Sequence, residues 1–241
     1  MNLVIDIGNT NSKMAVFHED KIVKSMQAEL LNSSLVKKAL DEYPIHKGII
    51  THVKNPKSDL IYLLKKRLDY LYILSGNIPV PVENLYKTRE SLGYDRLAGA
   101  VGANNIFPGT NVLIIDLGTA ITYDFVNDKN QYTGGNISPG MRMRFRALNT
   151  FTEKLPLVKA STPFEFLGDT TEGAIAAGVK NGIIFELNGY IQKASGHFDD
   201  LKIIITGGDA HYFVNSIKKP IFAEPDLVLI GLNRILKYNV A

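Results

Sequence analysis

The sequence predicts an α/β protein made of two related halves, each a mixed sheet flanked by helices. Three observations predict it. Short apolar, β-branched runs alternate along the chain with amphipathic helical segments. One strand-and-turn motif occurs twice: Leu3 to Asp6 continues into IGNTNSKMAVF, and Val112 to Asp116 continues into LGTAITYDFV, which aligns Asp116, Gly118 and Thr119 with Asp6, Gly8 and Asn9. Pro108-Gly109 breaks the chain just before the second copy, so the halves are expected at residues 1–110 and 111–241.

Leu3 to Ile7 and the alternating Met14, Val16 and Phe17 read as a hairpin that opens the first sheet, and His18, Glu19 and Asp20 mark the next turn. Asn32 or Ser33 caps a helix with Leu35, Val36, Ala39 and Leu40 on one face, and Pro44 stops it. A β-branched strand runs from Gly48 to Val53, and an amphipathic helix covers about Asp59 to Leu68. From Gly76 the prolines exclude a helix, so that stretch is extended or a loop. Ala98, Ala100, Val101 and Ala103 give the following helix a face of small residues.

In the second half, strands are expected over Thr122 to Val126 and Tyr132 to Asn136, then a helix after Pro139. A long helix from about Thr170 to Ile191 carries Ala174, Ala176, Ala177, Gly178 and Gly182, which permit another helix to approach closely. A strand from Leu201 to Thr206 leads through Gly207-Gly208 into a helix capped by Asp209, and Asp226 starts a final helix.

Composition narrows the function classes. Apolar residues are 45% and charged residues 21% of the 241, enough for a sizeable core. The 27 basic and 24 acidic side chains leave a formal charge of +3, with no cluster suited to a polyanion, so no nucleic-acid partner is expected. There is no cysteine, which excludes disulfide, thiolate and zinc-thiolate chemistry and suits a reducing cytoplasm. No basic segment precedes the first apolar run and Asp6 interrupts it, so neither a signal peptide nor a membrane partner is expected.

Residues 6 to 13, Asp-Ile-Gly-Asn-Thr-Asn-Ser-Lys, place a carboxylate, a glycine turn and several neutral donors at one strand end. Gly8 lets backbone amides reach an anion; Asn9, Thr10, Asn11 and Ser12 add donors; Lys13 offsets phosphate charge. Asp6 is suited to a divalent cation held through water. A hairpin turn whose Asn and Gly residues merely accept positive φ is the bland alternative, and the recurrence at Asp116 tilts the balance toward two turns that grip one polyphosphate across a cleft. This pair of turns resembles the phosphate motifs of the actin, sugar-kinase and heat-shock ATPase superfamily, and Thr206-Gly207-Gly208-Asp209 is similar to its adenosine-side turn, although a Gly-Gly helix entrance also serves packing.

With Leu92-Gly93-Tyr94-Asp95-Arg96, Gly134 to Gly140 and Thr170-Thr171 added, the whole chain resembles the type III pantothenate kinases: the DIGNT start, the GxDR box, the DLGTA turn, the GGxIxPG segment, Thr before an Ala-Ile helix and the TGGDA turn all occur in the family's order. The resemblance implies an actin-like fold and phosphorylation of pantothenate by ATP, with Mg2+ and a monovalent cation, K+ or NH4+, in a cytoplasmic homodimer. It implies that Asp95 is the catalytic base, where the alternative is an N-cap, and that Asp6, Ile7, Gly8, Asn9, Thr10, Asn11, Ser12, Lys13, Thr119, Gly207 and Gly208 bind ATP. The N-terminal dipole of the helix that follows favours a negative charge at Asp95.

Tyr86, Gly93, Tyr94, Asp95, Arg96 and Thr171 would contact pantothenate, and Asp116 would hold the monovalent cation. Arg96 offers a planar fork to the substrate carboxylate and alternatively makes a surface ion pair; Tyr86 alternatively packs in the core and Thr171 alternatively caps a helix. Leu97 departs from members that carry Trp there, which removes an aromatic wall from the expected pocket. Arg142, Arg144 and Arg146 cannot all face one ligand at helical spacing and read as solvated or interfacial. A non-catalytic accessory protein affecting transcription and a sugar or acetate-type kinase on the same scaffold are the competing readings.

Overall fold

The computed structural model describes every residue except Lys54, Gly76, Asn77 and Ala241. The stretch read as extended from Gly76 thus begins outside the described residues, and Ile78 to Val82 carry no helix. The strands are β1 (Asn2–Ile7), β2 (Ser12–His18), β3 (Lys21–Ala28), β4 (Lys47–His52), β5 (Tyr70–Ile73), β6 (Glu83–Asn84), β7 (Val112–Leu117), β8 (Ala120–Val126), β9 (Gln131–Pro139), β10 (Lys202–Thr206) and β11 (Phe222–Ala223). The α-helices are α1 (Ser33–Glu42), α2 (Ser58–Arg67), α3 (Tyr94–Ile106), α4 (Met141–Thr150), α5 (Thr171–Ser195) and α6 (Leu227–Asn239). The chain forms two compact units: Met1–Gly109 with Val126–Gly134 and Asp226–Ala241, and Thr110–Phe125 with Gly135–Pro225. The last helix therefore groups with the N-terminal segment, although its sequence lies in the second half.

In the first unit the strand order is β3-β2-β1-β4-β5. β1 runs antiparallel to β2, with Asp6 opposite Lys13, and parallel to β4. Leu3, Val4 and Ile5 are all buried, because β1 is covered on both faces, and a strand covered on both faces reads as a continuous apolar run instead of an alternating one. One face packs Leu3, Ile5, Met14, Val16 and Ile50 against Val36, Ala39 and Leu40 of α1 and Leu60 and Leu64 of α2. Asn32 caps α1, its Oδ1 accepting from Leu35 N at 2.9 Å. α6 packs against β1 and β4, α3 packs against β4, and the two helices pack on each other.

That helix pair crosses backbone to backbone. A β-carbon on Gly231 would overlap the carbonyl oxygen of Ala98 and lie 2.9 Å from Gly102 N, and one on Gly102 would overlap the carbonyl oxygen of Leu227. The small-residue face read from Ala98 to Ala103 is the surface that permits this approach.

The second sheet has the order β11-β10-β7-β8-β9-β6. From β9 through β8, β7 and β10 to β11 it repeats the order of β3, β2, β1, β4 and β5, so the duplication seen in the turns extends to the topology. β10 lies parallel to β7 and sets Thr206 beside Asp116. Leu113, Ile115 and Leu117 of β7 pack with Phe145 of α4 and with Ile175, Val179, Ile183 and Leu187 of α5. β6 pairs parallel with Gln131 and Tyr132, at the end of β9 that groups with the first unit. After Gly207-Gly208 the chain forms two short 3-10 turns, Ala210–Tyr212 and Val214–Ser216, in place of the helix expected there, and Asp209 makes no side-chain cap bond; its carboxylate accepts from Arg142 instead.

A β-carbon at residue 231 has nowhere to go, so Gly231→Ala is expected to cost at least about 1–3 kcal/mol, the usual range for overpacking a core. On the same pair of helices, a β-carbon added to Gly99 of α3 would meet nothing within 4 Å, so Gly99→Ala is expected to hold or raise stability. Urea denaturation of the two variants checks this, and equal effects would contradict the close crossing.

Candidate functional site

The first Asp-x-Gly turn closes through backbone: Gly8 N donates to Asn11 O at 3.1 Å, and Asn9, Thr10 and Asn11 are exposed beyond the end of β1. Ser12 is buried at the start of β2, so its hydroxyl is set back from the turn. Lys13 Nζ lies 3.5 Å from Asp226 Oδ1, an ion pair joining β2 to the residue before α6. The turn thus offers an exposed, neutral array of donors whose nearby ammonium already has a carboxylate partner.

The second turn is built more tightly. Gly118 N donates to Ala120 O at 3.1 Å, and Gly140 N donates to Thr119 O at 3.1 Å. A β-carbon on Gly207 would overlap Asp116 Oδ1 and lie 2.5 Å from Leu117 N, while one on Gly118 would lie 3.1 Å from the same Oδ1. The Asp116 carboxylate is therefore flanked by two glycines that leave it room. Gly207 also has φ +95°, a conformation suited to glycine alone, whereas a β-carbon on the neighbouring Gly208 would meet nothing within 4 Å. Asp209 N donates to Leu117 O at 2.9 Å, and its Oδ1 accepts from Arg142 Nη2 at 3.1 Å. The turns at 116–119 and 207–209 are consequently one connected structure within the second unit.

The GxDR box begins α3. Gly93 is the N-cap, so Asp95 is the second helical residue and the cap reading of Asp95 does not describe its position. Asp95 Oδ1 accepts from Arg96 N at 2.8 Å, and a β-carbon on Gly93 would lie 2.5 Å from that oxygen; the glycine is what lets the carboxylate fold over the start of the helix. Arg96 is 9% exposed, and its guanidinium lies 5.8 Å from the centre of the Tyr86 ring, within cation–π range. Tyr86 also faces Tyr132, with ring centres 6.1 Å apart, and a β-carbon on Gly134, at φ +125°, would lie 3.6 Å from the Tyr86 ring. Asp95, Arg96 and Tyr86 thus come together in the first unit, with Tyr132 and Gly134 beside Tyr86. Leu97 is buried in the core, so it packs the fold. Thr170, not Thr171, caps α5: its Oγ1 accepts from Gly173 N at 3.0 Å, and Thr171 is the exposed first residue of the helix in the second unit.

Two features escape a reading of the sequence. Tyr132 reads there only as a strand residue, although its alternation with Gly134 is visible. Glu186 gives no motif signal beyond being an acidic residue in the middle of the apolar run of α5. Arg144, read as solvated or interfacial, pairs with Glu186 and is half-buried; its Nε donates to Pro139 O at 2.8 Å and its Nη2 to Ser138 Oγ at 2.8 Å. Tyr123 OH donates to Glu186 Oε1 at 2.8 Å. Burial opposes ionisation of Glu186, but hydrogen bonds from Arg144, Ser138 and Tyr123 outweigh it and hold the carboxyl below its ordinary value. Burial, with Glu186 alongside, pushes the Tyr123 phenol up. Lys180 is buried with its ammonium donating to Thr162 O at 2.6 Å and set over the rings of Phe164 and Tyr212, and burial lowers its pKa.

A family model for type III pantothenate kinases matches residues 2–193. A type III pantothenate kinase from Phocaeicola vulgatus is 46% identical over 239 residues, covering 99% of this chain and 99% of that protein. Among solved structures, one from Campylobacter jejuni described as a Baf family transcriptional activator has a TM-score of 0.61 at 22% identity and covers 99% of this chain and 98% of its own. A ROK family glucokinase from Streptomyces griseus, in complex with glucose and AMPPNP, has a TM-score of 0.55 at 13% identity, with 99% of both chains covered. At these identities the two structures speak for the actin-like fold alone.

The Glu186 geometry gives a pH prediction. A carboxyl whose folded pKa is depressed stabilises the fold above its unfolded value and loses that contribution as pH falls through the folded value. Thermal stability is therefore expected to fall below about pH 4.5, the ordinary glutamate value, and Glu186→Gln is expected to flatten that part of the profile. At the turn of residues 206–209, Gly207→Ala is expected to lower the melting temperature and Gly208→Ala to leave it within about a degree of wild type, since only Gly207 has a positive φ and only its added β-carbon would overlap neighbouring atoms.

Proposed function

The chain belongs to the type III pantothenate kinase family, and from that premise we propose how its own residues divide the work of the reaction. The enzyme phosphorylates pantothenate with ATP to 4'-phosphopantothenate, the first step of coenzyme A biosynthesis, and takes its nucleotide with a divalent cation. The competing readings, an accessory protein affecting transcription or a sugar or acetate-type kinase, are not favoured by relatives that share the whole chain.

The observation that carries the reading of the acceptor site is the start of α3. Asp95 is oriented by its hydrogen bond from Arg96 N, and we assign it as the base that receives the proton of the pantothenate hydroxyl as that oxygen bonds to the γ-phosphorus and the bond to the leaving ADP breaks. Arg96, buried against Tyr86, takes the pantothenate carboxylate; its fork suits two parallel hydrogen bonds, and partial burial strengthens them. Tyr86, Gly93, Tyr94 and Thr171 complete the acceptor site. Asp6, Ile7, Gly8, Asn9, Thr10, Asn11, Ser12, Lys13, Thr119, Gly207 and Gly208 take ATP.

The cations fit the donors present. Among the described residues no group of three or more His, Cys, Asp or Glu side chains is arranged to hold a metal. That suits Mg2+ bound largely by substrate phosphates and water, with Asp6 as its water-mediated anchor, and K+ or NH4+ at Asp116, whose carboxylate lies in the room left by Gly118 and Gly207. These ions supply positive charge beside the phosphates.

The protein acts as a cytoplasmic homodimer, without nucleic acid or membrane. Exposed Phe185 on α5, and exposed Phe151, Phe166 and Leu167 before it, support the dimer; no helix among the described residues is long and apolar enough to cross a membrane. Sedimentation is expected to give a dimer, and Phe185→Glu to shift it toward monomer.

Turnover by Asp95→Asn is expected to fall about a hundred- to ten-thousand-fold, the usual cost of losing a general base, with ATP and pantothenate binding retained. Asp116→Asn is expected to weaken ATP binding and to blunt the response to added K+. Coupled kinetics and calorimetry on both variants decide it: near-normal turnover by Asp95→Asn at saturating substrates removes the base assignment.

A further inference from the structure

The second Asp-x-Gly turn is held in place by a polar tether that begins far along the chain. Gly140 is the contact. Its N–H donates to Thr119 O at 3.1 Å, and a β-carbon there would overlap the carbonyl oxygens of Gly118 and Thr119, so the backbone before α4 rests directly on the turn. The two residues ahead of Gly140 are held by a single side chain: Arg144 donates through Nε to Pro139 O and through Nη2 to Ser138 Oγ, each at 2.8 Å. Arg144 is in turn ion-paired with Glu186 of α5. The other carboxylate oxygen of Glu186 accepts from Tyr123 OH at 2.8 Å, and Tyr123 lies on β8, the strand that leaves the turn at Ala120. Tyr123 is itself 2% exposed and stacked on Tyr190 with ring centres 4.0 Å apart. The tether therefore reaches the turn from both sides: through Ser138, Pro139 and Gly140 against Thr119, and through Tyr123 on the strand that follows it.

We propose that Arg144, anchored by Glu186, is a positioning residue for the Gly118-Thr119 turn and so for the ATP phosphates, resting on the reading that Thr119 contacts them. Neither side chain touches substrate in this role. The guanidinium is required for its shape: one planar group satisfies a main-chain carbonyl, a hydroxyl and a carboxylate at once, whereas a lysine ammonium in the same place is a point charge with no fixed fork. The consequence is specific to one substrate, because the tether ends on the nucleotide-side turn and not on Asp95 or Arg96.

The experiment is steady-state kinetics with ATP and pantothenate varied separately, together with melting temperatures, on Arg144→Lys, the double variant Arg144→Met with Glu186→Gln, and Thr119→Ala. Arg144→Lys keeps a cation beside Glu186. The double variant removes both charges, so that neither is left buried and unpaired, while the glutamine oxygen still accepts from Tyr123 OH, which keeps the fold measurable if the single change proves harmful. The expected result is a KM for ATP raised about tenfold in both Arg144 variants, corresponding to the loss of one or two charge-assisted hydrogen bonds, with the KM for pantothenate unchanged. A lowered melting temperature with wild-type KM for ATP in the double variant overturns the proposal, since a merely structural pair behaves that way. Unchanged KM for ATP in Thr119→Ala strikes the phosphate reading itself; a raised value there with wild-type values in the Arg144 variants strikes only the tether.

Discussion

α3 and α6 cross so closely that Gly102 and Gly231 leave no space for a β-carbon, and much of the first unit depends on that crossing. α6 packs on β1 and β4, so the helix pair is seated on the central strands of the sheet. The N-terminal end of α3 carries Gly93 to Arg96, and its position is set by where the helix crosses its partner. Asp226, just ahead of α6, is the carboxylate that pairs with Lys13 on β2. A close backbone contact with no chemistry of its own thus fixes the position of Gly93 to Arg96 and ties down the lysine beside the first turn.

The two copies of the strand-and-turn motif share a topology but carry different loads. At the first copy the residues after Gly8 are exposed and polar, so the turn presents donors. At the second, Gly118 and Gly207 flank the Asp116 carboxylate and Gly140 rests on the Gly118-Thr119 backbone, so the carboxylate lies in a confined space. The difference comes from what packs against each copy. Gly207 at φ +95° allows the end of β10 to close over Asp116, and Gly140 allows the start of α4 to rest on Thr119. Duplication supplied one scaffold, and glycine placement gave its two ends different local geometries.

Features that depend on local sequence were legible: the strand ends at Asp6 and Asp116, the cap at Asn32, the long helix beginning near Thr170, and the small-residue face of α3. β3 and β5 were not, for a physical reason. β3 is an edge strand whose residues are mostly exposed, so it lacks the alternating apolar signal, and β5 is only 4 residues long. Contacts across long sequence separation were equally hidden. The grouping of α6 with the first unit depends on Gly231 meeting Ala98, and the pairing of Arg144 with Glu186 spans 42 residues. Motif order carried the candidate site; it did not reveal Tyr132 beside Tyr86, because an aromatic in a strand is the default expectation for a core.

Two of the three arginines of α4 illustrate how one sequence pattern splits into separate tasks. Two residues along a helix is a rotation of about 200°, so Arg142 and Arg144 leave the same turn in nearly opposite directions. Arg142 remains largely exposed while holding Asp209, next to Gly207 and Gly208, and Arg144 turns inward to Glu186, Ser138 and Pro139. A partly buried ion pair of this kind adds little net stability, because desolvating both charges offsets most of their attraction. Its hydrogen bonds nevertheless fix direction: the planar guanidinium accepts only one arrangement of the three oxygens around it. The value of the Arg144–Glu186 pair is therefore the location it imposes on the end of β9. A pair of well-packed apolar side chains in its place would hold α4 against α5 equally well and would leave Ser138 and Pro139, and with them the backbone that rests on Thr119, to choose among several positions.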